Sequence, residues 1–259
     1  IKINKVQSQL DLDEKIDDID YDIITIDPDK CKDIDDGISI NICNNITEIG
    51  VHITDVSYYM ENYLDNLKSG LCSSIYYDNK QINMIPELYS TNICSLLEGK
   101  KRKCLSIIYK YDNTNLIDYK IKLCNVFVKK NYSYDNAEML INNNDNKHTI
   151  LMNLWNFMRK INSNINDTHK LIEILMINSN KLVGELLYNY DKSRCVLRVH
   201  NKKTDYILND DLNKDINDYL KIKTFESAIY CIGSENPYHY GLNSSYYTHY
   251  TSPIRRVVD

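Results

Sequence analysis

The sequence predicts an α+β fold in which a sheet is laid down first and helices follow. Three observations predict it. Between residues 22 and 55, short Ile- and Val-rich runs alternate with acidic or Asn-rich turns. From 104 to 130, two further runs face each other across Asp112-Asn113-Thr114-Asn115. Past Tyr134, the apolar residues switch to helical spacing.

Taken in order, residues 1–21 alternate acids with Ile and Leu without a clean period and read as an acidic, solvated lead-in to a folded domain over 22–259. That stretch also shows that acid-rich runs occur here without function, so acidity alone marks nothing. From Asp22 the pattern is strand, acidic loop, strand over 37–43, a turn at Asn44-Asn45, and strand over 48–56, which together make a β-meander. A short helix is predicted over 63–76 and strands over 104–111 and 116–130. The Asn-rich segment 141–146 reads as an exposed connection. Helices are predicted over 150–161 and 169–188, with shorter ones over 224–231 and 252–258.

With 43% hydrophobic residues in 259, the chain has material for a substantial core. No apolar run approaches the roughly 18–20 residues that span a bilayer, so no membrane partner is expected. Starting at Ile1 and stopping at Asp259, the sequence reads as a piece of something longer, and a missing leader says nothing about compartment. The eight cysteines are too dilute for a disulfide scaffold and show no CxxC spacing, so reduced, mostly buried thiols are expected. A net charge of −5 argues against a surface coated in basic residues. It leaves room for a basic channel, since Lys and Arg cluster at 100–103, 129–130, 202–203 and 255–256.

The segment Thr25-Ile26-Asp27-Pro28-Asp29-Lys30-Cys31-Lys32-Asp33-Ile34-Asp35-Asp36-Gly37 packs five carboxylates into ten residues. Like charges held this close raise one another's pKa unless a cation neutralises them, and an all-oxygen set points to Mg²⁺, Mn²⁺ or Ca²⁺. In an extended chain Asp33 and Asp35 share one side while Ile34 goes to the core. With Asp27 and Asp36 closing from an adjoining turn, four carboxylates can hold two divalent ions about 4 Å apart, the arrangement used in phosphodiester cleavage. The alternative is an acidic β-turn. An EF-hand is excluded by register, because placing Gly37 at the sixth loop position puts Lys32 first and Ile34 third. A second segment, Thr251-Ser252-Pro253-Ile254-Arg255-Arg256, has an N-cap Ser before a Pro, which predicts Arg255 in the first turn of a helix, a phosphate-binding arrangement. Its alternative is an ordinary surface helix start.

Five blocks in order closely resemble the RNB catalytic domain of the ribonuclease II and ribonuclease R family, which also occurs in the catalytic subunit of the eukaryotic exosome. They are Thr25-Ile26-Asp27 with Asp33-Ile34-Asp35-Asp36; Val51-His52-Ile53-Thr54-Asp55-Val56-Ser57; Met84-Ile85-Pro86-Glu87; Cys94-Ser95-Leu96; and Tyr247-Thr248-His249-Tyr250-Thr251-Ser252-Pro253-Ile254-Arg255-Arg256. The resemblance implies an RNB-type α+β domain with a mixed, mainly antiparallel sheet flanked by helices. It implies an intracellular, Mg²⁺-dependent 3′→5′ exoribonuclease (two ions, Mn²⁺ an alternative) that releases nucleoside 5′-monophosphates from single-stranded RNA 3′ ends.

By the same resemblance, Asp27, Asp33, Asp35 and Asp36 match the active-site aspartates, with Asp36 positioning metal and attacking water, and Asp29 drops out. Arg255 matches the arginine at the scissile phosphate, Tyr76 the tyrosine that stacks on a 3′ base, and Tyr134 the one tied to choosing RNA over DNA. Glu173 matches an RNA-contacting glutamate, although Ile174 stands where the family carries a second acid. The segments between Met158 and His169 and after His200 are shorter than the family's. The C-terminal part reads as truncated, and the OB-fold domains that grip RNA are expected elsewhere in a longer chain or in a larger RNA-processing complex. A different class of reading is an RNB-fold subunit that has lost turnover and serves such an assembly as a structural or RNA-binding part.

Overall fold

The computed structural model describes residues 10–11, 17–60, 70–77, 80–201, 211–223, 226–233 and 235–259. The chain forms two compact units, one running to Ser179 and including Tyr250–Asp259, the other Asn180–His249.

The first unit is built on strands β1 (Leu10–Asp11), β2 (Asp17–Asp27), β3 (Asp36–Cys43), β4 (Ile46–Thr54), β5 (Ile75–Tyr77), β6 (Lys80–Ile82), β7 (Lys101–Asp112) and β8 (Asn115–Ser133). The main sheet runs β1-β8-β2-β3-β4-β7, and β7 also pairs with β8, so the ladder closes on itself. Its β2–β8 and β1–β8 pairings are parallel and the others antiparallel, which makes the sheet mixed. Turns at Asn44-Asn45 and Asn113-Thr114 form as the sequence predicts, with Asn44 and Asn113 at φ 55° and 53°, where Asn is tolerated. Helices α1 (Val56–Met60), α2 (Tyr134–Asn142), α3 (Thr149–Ile161) and α4 (Thr168–Tyr190) follow. Helix α3 buries Leu151, Met152, Leu154, Trp155, Phe157 and Met158, the face its periodicity marks.

Three expectations are corrected. Helix is absent at residues 75–76, which lie in β5; residues 63–69 of that predicted helix fall outside the described residues. In the second unit, Ile229–Ile232 forms strand β10 against β9 (Val196–Val199), because a β-branched and aromatic run found an antiparallel partner. Residues 252–258 form a turn in place of a helix. The Ser252 carbonyl accepts from the amides of Arg255 and Arg256, but Val257 N–H goes to Cys72 O and Arg256 bridges Ser73, so the next amides are drawn sideways. Strand β2 begins at Asp17, within the stretch read as lead-in. Helix α5 (Lys214–Lys223) completes the second unit. Four of the eight cysteines are buried, and all are free thiols.

His52 lies fully buried on β4. Its Nε2 is 2.8 Å from Ser39 Oγ on β3, and its Nδ1 is 2.8 Å from Ser106 Oγ on β7 and 3.9 Å from Cys124 Sγ on β8, while the Tyr21 ring packs at 5.2 Å. Burial, reinforced by Lys122, pulls its pKa from 6.5 down to about 3. The folded chain therefore keeps His52 neutral where the unfolded chain takes up a proton. Stability from this group is full above pH 6.5 and is lost as pH falls from 6.5 toward 3, by up to about 5 kcal/mol. Urea midpoints should decline below pH 6.5, and the decline should be shallower in His52→Gln. Equal slopes in the two proteins would refute the assignment.

Candidate active site

Asp27 ends β2 and is paired in register with Ser133, the last residue of β8, so Tyr134 enters α2 directly beside it. Asp36 opens β3, where Gly37 packs so closely that a Cβ would run into the Ile23 side chain. Between them residues 31–35 have no regular structure and are pinned from outside. Ile34 donates its N–H to Ser95 Oγ at 3.1 Å and accepts the Leu96 N–H at 3.0 Å, Ser95 Oγ donates to Lys32 O at 2.7 Å, and Asp35 O accepts the Thr54 N–H at 3.0 Å. The Ile34 side chain, 4% exposed, inserts among Ile23, Leu96, Cys104, Cys124, Val126 and Val128. The alternation in the sequence is thus realised, with Ile34 in the core and its neighbours turned to the site. Asp29 lies on the exposed turn and meets Lys30 at 3.9 Å.

Each aspartate has a different environment. Asp35 is buried; its Oδ1 accepts the Ile254 N–H at 2.7 Å and its Oδ2 lies 3.5 Å from Arg255 Nε. Asp33 is buried and accepts the Tyr76 hydroxyl proton, with Cys31 Sγ at 3.8 Å on its other oxygen. Burial raises the pKa of Asp35 well above the carboxylate range, against the pull of Ile254 N–H and Arg255. Burial also raises Asp27 and Asp36. Asp33 adds repulsion to Asp27, and Asp27 adds it to Asp36, while Arg255 opposes both shifts. Asp27 Oδ2 is buried without a hydrogen-bond partner.

Arg255 is half-exposed and donates to Ser252 Oγ at 2.9 Å; Asp35, Tyr76, Asp36 and Asp33 all act on its guanidinium. Tyr76 sits on β5, about half exposed, with its hydroxyl tied to Asp33. Tyr134 is half-buried, and its phenol is held protonated by burial first and then by Asp36 and Asp27. Glu173 is brought to no aspartate by any hydrogen bond or ion pair among the described residues. It is exposed on α4 and pairs with Lys170 at 2.8 Å.

The donor chemistry fits a hard divalent cation. Four carboxylates face a single arginine, they repel one another, and one buried oxygen has nothing to bond. A ready-made cage is absent: among the described residues no three His, Cys, Asp or Glu side chains converge closely enough to hold a metal. The physical reason is that Asp33 and Asp35 are drawn to separate donors, Tyr76 on one side and Ile254 with Arg255 on the other. The supports Ser95, Thr54 and the Ile254 amide lie in blocks that the sequence marks. Their task is invisible there because the bonds cross long separations, 61 residues for Ile34–Ser95 and 219 for Asp35–Ile254.

The model of the RNB domain matches residues 15–165 and 156–259. Mouse (Mus musculus) exosome complex exonuclease RRP44 is 27% identical over 311 aligned positions, taking in 92% of this chain and 32% of that protein. Ribonuclease R of Chlamydia pneumoniae is 27% identical over 307, with 91% and 44% covered. The chain therefore spans less than half the length of these curated relatives. In fold, Mycoplasma genitalium RNase R in complex with double-stranded RNA superposes with a TM-score of 0.81 at 21% identity, over 99% of this chain and 60% of that one. Yeast Ssd1, a pseudonuclease, gives 0.77 at 19%, over 94% and 38%. Among the described residues no helix is long and apolar enough to cross a membrane.

Proposed function

Because the chain belongs to the RNB-domain family, we propose that it is the catalytic part of a 3′→5′ exoribonuclease that hydrolyses single-stranded RNA to nucleoside 5′-monophosphates with two Mg²⁺ ions, Mn²⁺ substituting. One observation carries the reading. Two blocks 219 residues apart meet where Asp35 receives the Ile254 amide at 2.7 Å and faces Arg255 at 3.5 Å. An acidic site with one guanidinium on its rim suits a phosphodiester, since cations gather on the carboxylates and the arginine meets the phosphate oxygens.

Asp27, Asp33, Asp35 and Asp36 would hold the ions, which when bound supply a clamp on the attacking and leaving oxygens. Asp36 orients the attacking water, and Arg255 offers its half-exposed N–H groups to the scissile phosphate. Tyr76 presents a ring face on which any 3′ base can stack, which suits a sequence-indifferent nuclease. Tyr134 meets the sugar, where the 2′-hydroxyl distinguishes RNA from DNA. Glu173, exposed on α4 beside Lys170, would offer its carboxylate to RNA from outside the aspartate cluster. OB-fold domains of a longer chain, or a larger intracellular RNA-processing assembly, would supply the remaining grip on RNA.

A second reading, an RNB-fold subunit without turnover, is favoured by the lack of a ready cage among the described residues and by the fold likeness to a pseudonuclease. Single-stranded RNA labelled at either end separates the two. The enzyme releases mononucleotides from the 3′ end in Mg²⁺, stops in EDTA and resumes when Mg²⁺ is restored. RNA binding with no mononucleotide release in Mg²⁺ establishes the second reading and rejects the first.

A further inference from the structure

His169, which the family resemblance does not mark, stacks face to face on Tyr134, which it does. Their ring centroids lie 3.6 Å apart at an interplanar angle of 13°. The two rings come from different helices, Tyr134 from the first turn of α2 and His169 from the first turn of α4. The helix ends are locked beside each other, since Thr168 donates its N–H to Glu138 Oε2 at 3.0 Å and its Oγ1 to the Tyr134 carbonyl at 3.5 Å. His169 is exposed, so its ring is placed by this stack and not by a core. Asp36 and Asp27 both act on the Tyr134 phenol, which sets that ring beside the carboxylates.

We infer that His169 is a positioning residue for Tyr134, covering one face of its ring so that the hydroxyl edge is turned toward the terminal sugar of the substrate. The consequence for specificity rests on the RNA-hydrolysing function proposed above. A tyrosine with a free face can rotate to stack on a base, and stacking ignores the sugar. A tyrosine with one face already occupied is held from rotating about that stack, which keeps its hydroxyl edge in place to read a 2′-hydroxyl.

The test uses the full chain as wild type, His169→Ala and His169→Phe, each also prepared with 3-fluorotyrosine at position 134. Binding of RNA and DNA oligonucleotides is followed by anisotropy in EDTA, and turnover of RNA in Mg²⁺. His169→Ala is expected to lose about tenfold in preference for RNA over DNA. Its turnover number on RNA should stay within about twofold of wild type, and the fluorine resonance should move as the ring current disappears. His169→Phe restores both preference and resonance. An alanine variant with unchanged preference and unchanged resonance overturns the inference, as does a phenylalanine variant that behaves like alanine. Should wild type release no mononucleotides, the proposed function fails and the fluorine arm decides alone: a shift reversed by Phe supports the inference, and an unmoved resonance overturns it.

Discussion

Asp36→Asn is expected to lower mononucleotide release at least about a hundredfold while leaving the melting temperature level or higher. The two effects have one cause. Asp36 is held in a site where burial and Asp27 both oppose its charge, which is why its pKa is raised. A fold that opposes a charge is relieved when that charge is removed, and asparagine keeps the shape and one acceptor oxygen. The proposed function needs the opposite, an ionised carboxylate to attract a cation and orient water. Kinetics on 3′-labelled RNA and a melting curve on the same preparation check both halves. Wild-type turnover in the variant would remove Asp36 from the mechanism, and a marked drop in melting temperature would mean that its charge supports the fold.

Ile34→Ala should be the most damaging of the substitutions near the site that touch no substrate group. The side chain is 4% exposed and packed among Ile23, Leu96, Cys104, Cys124, Val126 and Val128. Removing three carbons from such a place costs roughly 2–5 kcal/mol through lost burial and the cavity left behind. The loss falls on the segment that carries Asp33 and Asp35, so turnover should fall even at temperatures where the chain stays folded. Ile34→Val keeps most of the volume and should cost about 0.5–1.5 kcal/mol with turnover near wild type. Urea unfolding and steady-state kinetics on both variants read the two effects. Full activity in a destabilised Ile34→Ala would show that the loop is held by its backbone bonds alone.

Much of this was legible beforehand for a definable reason. The meander from β2 to β4 and the β7–β8 hairpin are written in local features, β-branched runs separated by Asn turns. Helices α3 and α4 show their spacing openly. Two of the misread segments, 229–231 and 252–258, are short, and each gained its structure from a distant partner: Val196–Val199 for the first, Cys72 and Ser73 for the second. At the site, the alternation Asp33-Ile34-Asp35 announced which side chain would be buried. It could not announce that Tyr76 and Arg255 would pull the two acids toward different donors.

The sequence by itself determined the acidic loop, the order of the motif blocks and the sheet-then-helix plan, because periodicity, turn chemistry and charge density are local properties of a chain. Tertiary structure decided the rest. It brought Ile254 and Arg255 to Asp35, left one oxygen of Asp27 buried and unbonded, and laid the His169 ring on Tyr134. Those outcomes depend on which long-range pairings close, since burial and the distance between charges set the pKa of each carboxylate and the freedom of each ring.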